Sequence, residues 1–271
     1  TGFGDKTAWD WMQLLIVPVV IAVGGLLFNL SQNAQQRETE NSRSATQLAA
    51  QEQSAQETTL QAYLDEMGSL LIDKGLLSSK EGDEVRTLAR TRTLAVLRRV
   101  DVARKRSVML FLAETGLASS TSHNAKNVGS NTGGEVGSNS QQIVILAEAE
   151  LSGVDLRGID LPQAHLALAN LSGADWSNSN LVQVELAGAN LSGAYLDKTK
   201  LTGANMPNTD LSNTDLREAD LSNANLSGAD LSGADLSRAD LTDAEGVTNE
   251  ELEEQAKSLE DTTMPDGTKH D

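Results

Sequence analysis

Residues 224–241 read ANLSGADLSGADLSRADL, and the same five-residue spacing runs without a break from Leu151 to Leu241. Nineteen successive positions at that spacing are Leu, except Trp176 and Met206. The residue two before each is nearly always small: twelve Ala, three Thr, two Val, one Ile and one Ser. One such unit cannot bury its own apolar face and must stack on its neighbours, so the repeat decides the architecture of the C-terminal half. A period of five fits neither a helix nor an uninterrupted strand. On an extended segment the small residue and the Leu point to one side, and the residue between them points outward. That outward residue is Asp, Asn or Glu at most positions. The next two residues must turn a corner. The second of these is Gly in eight units and Asn in four, the types that tolerate positive φ. Pro162 and Pro207 fall one place earlier, where a type II turn accepts Pro.

These units resemble the pentapeptide-repeat family, A(D/N)LXX, over about 100 of the 271 residues. The resemblance implies a right-handed, four-sided β-helix with four pentapeptides per coil. About five coils would then stack at the ~4.8 Å strand spacing, with the leucines in the bore. Trp176 strains that pattern, because an indole is far larger than the Leu156 and Leu196 expected above and below it. Either the bore bulges there or the ring is displaced outward. Ile143–Leu146 is a continuous apolar run suited to starting the first coil. Thr248 and Glu251 have capping-box spacing, and Leu252, Ala256 and Leu259 share a helical face. A helix over 249–259 would cover the last coil's open edges, as a solenoid requires.

The first half reads as a different protein. Residues 14–28, LLIVPVVIAVGGLLF, carry no charge, and the apolar stretch from Met12 to Leu30 is just long enough to span a bilayer. Trp9 and Trp11 stand at one boundary, as an aromatic belt would. A transmembrane helix over about 12–30 is the expectation. Arg37, Arg43 and eight basic residues between Arg86 and Arg106 follow it, which places the C-terminal domains in the cytoplasm by the positive-inside rule. Residues 31–66 are rich in Gln, Glu, Ala and Ser and read as a polar helical stalk, open to weak self-association. Residues 67–118 read as a small helical domain, with Gly75 as a helix C-cap, Asp83 capping a helix over 84–99 and Asp101 one over 102–115. The basic stretch 86–106 reads as solvated helix faces with snorkelling stems; if it has a role, anionic lipid suits it better than DNA. The membrane segment with its helical module is similar to the front end of bacterial membrane-anchored pentapeptide proteins. Residues 119–142 form a Ser/Asn/Gly linker reaching roughly 25–30 Å as a coil, expected to leave the solenoid free to move. The solenoid spans 143–245, and 246–271 form the capping helix and tail. The fold class is thus mixed: transmembrane helix, small α-helical domain, β-helix and helical cap.

Residues 1–118 hold 13 Lys/Arg against 14 Asp/Glu, whereas 119–271 hold 8 against 25, so nearly all of the −18 net charge lies in the C-terminal half. There is no Cys, which excludes disulfides and thiolate chemistry. His123, His165 and His270 lack the spaced partners of a zinc site or nucleophilic triad. No phosphate-binding Gly loop, HExxH or GxSxG is present. No catalytic, cofactor or metal residues are therefore expected. With twenty residues per coil, Asp155, Asp175, Asp215 and Asp235 stack on one face, interrupted by Tyr195, and Asp160, Asp220 and Asp240 on another. Solubility alone explains an outward polar residue. Acidic ladders also resemble the pentapeptide proteins that bind DNA gyrase as DNA mimics and protect against quinolones, but an anchor argues against that role, since a mimic must reach DNA-bound enzyme. The favoured expectation is a non-enzymatic, membrane-anchored rod for protein binding, with no direct nucleic-acid contact. Tyr195, Leu168 and Val182 join the acidic positions as its candidate surface, because each puts a large side chain where the repeat puts a small or polar one.

Overall fold

The computed structural model describes residues 8–119 and 143–271, the side chains of 8, 10, 11 and 13–17 excepted. The linker expected over 119–142 therefore lies outside the described residues from 120 onward. The chain divides into two compact units, residues 1–55 and 56–271.

The first unit consists of the leading turns of one helix, α1, which runs without interruption through Ala8–Ile72 and includes Pro18. The absence of Gly and Pro from 31–66 lets the expected membrane segment and stalk merge into a single helix. The stalk's short polar side chains bond along the helix, as in Thr39 Oγ1 to Gln35 O and Asn33 Nδ2 to Asn29 Oδ1. Val19, Val20, Ile21, Leu26, Leu27 and Phe28 are all exposed. Among the described residues no helix is long and apolar enough to cross a membrane; the side chains of 13–17, inside the expected span, are not among those described.

The second unit begins with the last turns of α1. Leu60, Tyr63, Met67 and Leu70 are buried there against α2 (Glu84–Leu97) and α3 (Val102–Glu114). The Tyr63 ring meets Phe111 edge-on at 6.3 Å, and its hydroxyl lies 3.0 Å from Thr93 Oγ1. Burial pushes the Tyr63 phenol up to about 12. Gly75 adopts the left-handed conformation (φ 61) and opens a 3₁₀ turn over Leu76–Ser78, rather than closing α1 directly. Asp101 caps α3 through Arg104 N at 2.9 Å. Asp83 stands at the N-cap of α2, but its carboxylate accepts from Lys80 N at 2.7 Å instead of from the helix.

From Val144 the chain winds into the solenoid. Parallel bridges join residues twenty apart, from Glu150–Asn170 to Asn225–Glu245, so each coil holds four pentapeptides. Every corner residue two after the Leu has positive φ, from Glu148 to Asp243, glycine or not. Nearly every corner closes with a bond from the fourth residue of the turn to the first, as in Ala164 N to Leu161 O. The Leu positions are buried throughout. The hydroxyls of Ser179, Thr199 and Thr209 at the small inward positions bond carbonyls of the coil before, Leu156 O, Trp176 O and Leu186 O, and that of Thr214 bonds Leu211 O of its own corner. Trp176 is buried within the bore at 1% exposure and is not displaced outward; its Nε1 has no hydrogen-bond partner.

Two expectations at the ends of the solenoid are corrected. At the N-terminal end the rod is not free of the helical module: Ile143 N and Val144 N donate to Leu117 O at 3.2 and 2.7 Å, and Ser119 Oγ donates to Pro162 O. Arg106 of α3 reaches Asp155 Oδ1 at 2.8 Å and also donates to the Asp155 carbonyl. Leu117 and Ala118, at the end of the helical module, are fully buried. At the C-terminal end the capping box forms as expected, but α4 spans only Asn249–Gln255. The chain beyond it is extended and pairs with the last coil, Lys257 N to Ala234 O and Leu241 N to Thr263 O. The exposed coil edge supplies hydrogen bonds that a longer helix would leave unmade. Leu252, Leu259 and Met264 are buried under this composite cap.

The phase of the repeat is open to a direct test. Leu191→Asp puts an unpaired carboxylate into the bore and should cost about 3 kcal/mol or more. Ser192→Asp places the same group at a half-exposed corner and should change stability by only about 0.5 kcal/mol. Thermal melts of equal midpoint for the two variants would refute the assigned phase.

Candidate interaction surface

The outward positions form four ladders along the coils. Asp155, Asp175, Tyr195, Asp215 and Asp235 bridge in sequence on one face, and Asp160, Asn180, Lys200, Asp220 and Asp240 on another. The twenty-residue register expected from the sequence is thus observed.

The acids on these ladders are spent locally. In most units the carboxylate or amide oxygen accepts from the backbone N–H of the residue two on, and from its hydroxyl when that residue is Ser or Thr. Asp175 does so with Ser177 at 3.1 and 2.6 Å, and Asn190 with Ser192 at 2.9 and 2.7 Å. This side-chain turn pins the entry to each corner. It explains the D/N-L-S spacing by geometry rather than solubility.

On the Tyr195 face the charge is also neutralised. Arg157 and Arg217 stand where other units have Ser, and each clamps the Asp two before it: Arg157 Nε lies 2.9 Å from Asp155 Oδ1, and Arg217 Nε lies 2.7 Å from Asp215 Oδ1. Arg157 also lies 3.5 Å from Asp175, Lys257 lies 3.9 Å from Asp235, and Arg106 shares Asp155. All four carboxylates of the ladder therefore have a cation within 4 Å. The hydrogen bond from Arg157 holds the Asp155 carboxyl well below the ordinary carboxylate range, and that from Arg217 lowers Asp215. The D-L-R spacing at 155–157 and 215–217 was the available signal for this pairing. Arg106, 49 residues from its partner, left no local trace.

The apolar candidates are not brought together. Tyr195 is half exposed on the ladder just described. Leu168 stands at the corner after His165 and Leu166, and Val182 at the corner after Asn180, on other sides of the coil. Leu168 is 64% exposed and holds φ 60, a conformation that disfavours a large side chain. Val182 is partly buried. Among the described residues no group of His, Cys, Asp and Glu could hold a metal ion.

A family model described as pentapeptide repeats, in eight copies, matches residues 149–184, 164–203, 179–217 and 204–243. The chain belongs to the pentapeptide-repeat family. Among solved structures it is similar to the pentapeptide repeat protein Rfr23 of the cyanobacterium Cyanothece 51142, at 26% identity over 40% of this chain and 88% of that one (TM-score 0.32). It is similar to alr5209, a pentapeptide repeat protein of Nostoc PCC 7120, at 32% identity over 41% and 82% (TM-score 0.22). It also resembles QnrB1, a plasmid-mediated fluoroquinolone resistance protein, at 21% identity over 36% and 60% (TM-score 0.23). No curated protein matches the chain.

Two outcomes follow from this surface of the pentapeptide-repeat rod. Asp155 and Asp215 titrate below their ordinary 3.8 in the folded state, so the stability their pairs contribute is complete above that value. It is lost as pH falls through the lowered folded-state values. The thermal midpoint should therefore drop more steeply below pH ~4 in the native chain than in an Arg157→Gln/Arg217→Gln variant, whose carboxylates lack that lowering. Parallel acid profiles would sink the assignment. Leu168→Asn should stabilise the fold by up to about 1 kcal/mol of relieved backbone strain and so raise the midpoint, because Asn tolerates the left-handed region. A lower midpoint would mean that the Leu168 side chain packs more than it strains.

Proposed function

We propose that this pentapeptide-repeat protein is a non-enzymatic scaffold, anchored to a membrane by its apolar 12–30 segment and displaying the β-helical rod for protein–protein interaction. The observation that carries the display reading is the fate of the acids. A DNA mimic needs unpaired negative charges at phosphate-like spacing, and on the Tyr195 ladder each carboxylate already has a cation within 4 Å. What that surface offers a partner is an exposed aromatic ring in a field of compensated charge, with Leu168 exposed elsewhere on the rod. Tyrosine is among the residues enriched as anchors of protein interfaces. The anchor is supported by the uncharged 14–28 run and by the exposure of Val19–Ile21 and Leu26–Phe28 on α1. A cytoplasmic position for the C-terminal domains follows from the basic residues after that run.

Alkaline carbonate extraction should leave the full-length chain in the membrane pellet; release into the soluble fraction would remove the anchor from the proposal. Affinity capture from detergent-solubilised membranes should recover the same partners with wild type and with Asp155, Asp175, Asp215 and Asp235 all changed to Asn, but fewer with Tyr195→Ala or Leu168→Asn. The purified protein should not inhibit DNA supercoiling by gyrase at micromolar concentration. Potent inhibition, weakening steeply with salt, would replace the scaffold with the DNA-mimic reading.

A further inference from the structure

Within the first unit, α1 is exposed at every position from Ser31 to Ala55. Its composition gives little reason for a helix to stand there alone. Eight of these 25 residues are Ser, Thr or Asn, which favour caps and turns over helix interiors. None of its five charged residues has an opposite charge four positions away, the spacing that best supports a solitary polar helix. Helices in proteins draw most of their stability from packing one face. One column of α1 is suited to that. Leu48, 67% exposed, is the one large aliphatic residue between Leu30 and Leu60. Steps of seven from it reach Asn41, Ala34, Leu27 and Val20 in one direction and Ala55 in the other. Residues so spaced share one side of a helix that supercoils about another. The column carries no charge, whereas those flanking it hold Arg37, Glu38 and Glu52.

We propose that α1 pairs along this column with α1 of a second copy of the chain, as a parallel, in-register coiled coil with Leu48 against Leu48 and Asn41 against Asn41. Charge selects the occupant. Residues 31–55 hold two Arg against three Glu, whereas 119–271 hold 8 basic residues against 25 acidic ones. Two copies therefore repel through their rods and meet with little repulsion along this stretch. Asn41 selects the register. Its amide both donates and accepts, so inside a seam it is completed by another amide at the same height, which an in-register copy provides. Arg37, beside the seam, can then pair with Glu38 of the second copy. The polar flanking columns keep the pairing weak, and copies held in one bilayer meet at a raised effective concentration that compensates for this. The parallel direction rests on the anchored reading given above, because both apolar 12–30 segments must lie at the same end of the pair.

The chain contains no Cys, so single-Cys variants of the full-length protein report the seam without background. Membranes carrying Ala34→Cys, Asn41→Cys, Leu48→Cys or Ala55→Cys are oxidised in air with copper phenanthroline and run on non-reducing gels. Thr39→Cys, Thr46→Cys and Gln53→Cys, on the far side of the helix, are run beside them. Covalent dimer should form at least about fivefold faster at the four seam positions, where the two backbones come within disulfide reach. Dimer at both Ala34→Cys and Ala55→Cys requires a parallel, in-register pair; an antiparallel pair links like positions only near its centre. Adding Leu48→Glu to Ala34→Cys should slow dimer formation about tenfold, and adding Asn41→Leu should speed it, since a polar seam residue costs stability. Equal rates at all seven positions, as random collision would give, overturn the proposal. A maximum on the Thr46 side or no dimer at any position does so too. Should carbonate release the chain, the same scan on the soluble fraction still reads the pairing, so the anchor and the seam fail separately.

Discussion

The coil-to-coil register of twenty residues is what everything else in this protein hangs on. It is fixed by a corner with positive φ every five residues, from Glu148 to Asp243. A corner that failed to reach the left-handed region would lengthen one side of the coil and shift every later Leu off the one beneath it. With the register kept, backbone N–H and C=O groups pair with the neighbouring coil on every side, as in Leu151 N to Asn170 O and Asn170 N to Ala149 O. The bore then closes over leucines that each contribute on the order of 1.5–3 kcal/mol by burial. Non-glycine residues at twelve of these corners show how strongly the stack imposes this geometry. Five are Asn or Asp, which tolerate the left-handed region; Leu168 is the apolar exception among the rest.

The same register decides what the outward acids are for. An Asp or Asn between the small residue and the Leu reaches the backbone N–H two residues on, so its oxygen organises the next corner before it meets any partner. Where Arg replaces Ser at that second position the turn bond persists and a guanidinium clamp is added. A net charge of −18 over the chain therefore overstates the negative field that a ligand would meet on the Tyr195 ladder.

Much of this was legible in the sequence because the rod's contacts are repeats of one local rule. The Leu phase, the inward small residues and the Gly/Asn corners could be read from spacing alone, and so could the helices over 84–99 and 102–115 to within two residues of where they end. The N-terminal contacts of the rod could not. Leu117 O to Val144 N, Ser119 to Pro162 and Arg106 to Asp155 join residues 27 to 49 apart that share no pattern. The polar composition after Ser119 made a freely moving rod the natural reading, and no pattern in it marks the bonds that tie the rod to the helical module. The tail from Ala256 misled for the converse reason. Leu252, Ala256 and Leu259 have helical spacing, yet the open coil edge offers extended backbone a full set of partners, and tertiary pairing overrides that weak periodicity.

At the head of the rod Leu117 accepts from both Ile143 and Val144. The orientation of the rod on the helical module is set by short-range contacts: a carbonyl shared by two amides, the Arg106 clamp on Asp155, and the apolar contact around Leu117 and Ala118. The helical module is in that sense the first coil's cap, built from sequence that carries no trace of the repeat. It covers at one end the exposed coil edge that α4 and the extended tail cover at the other.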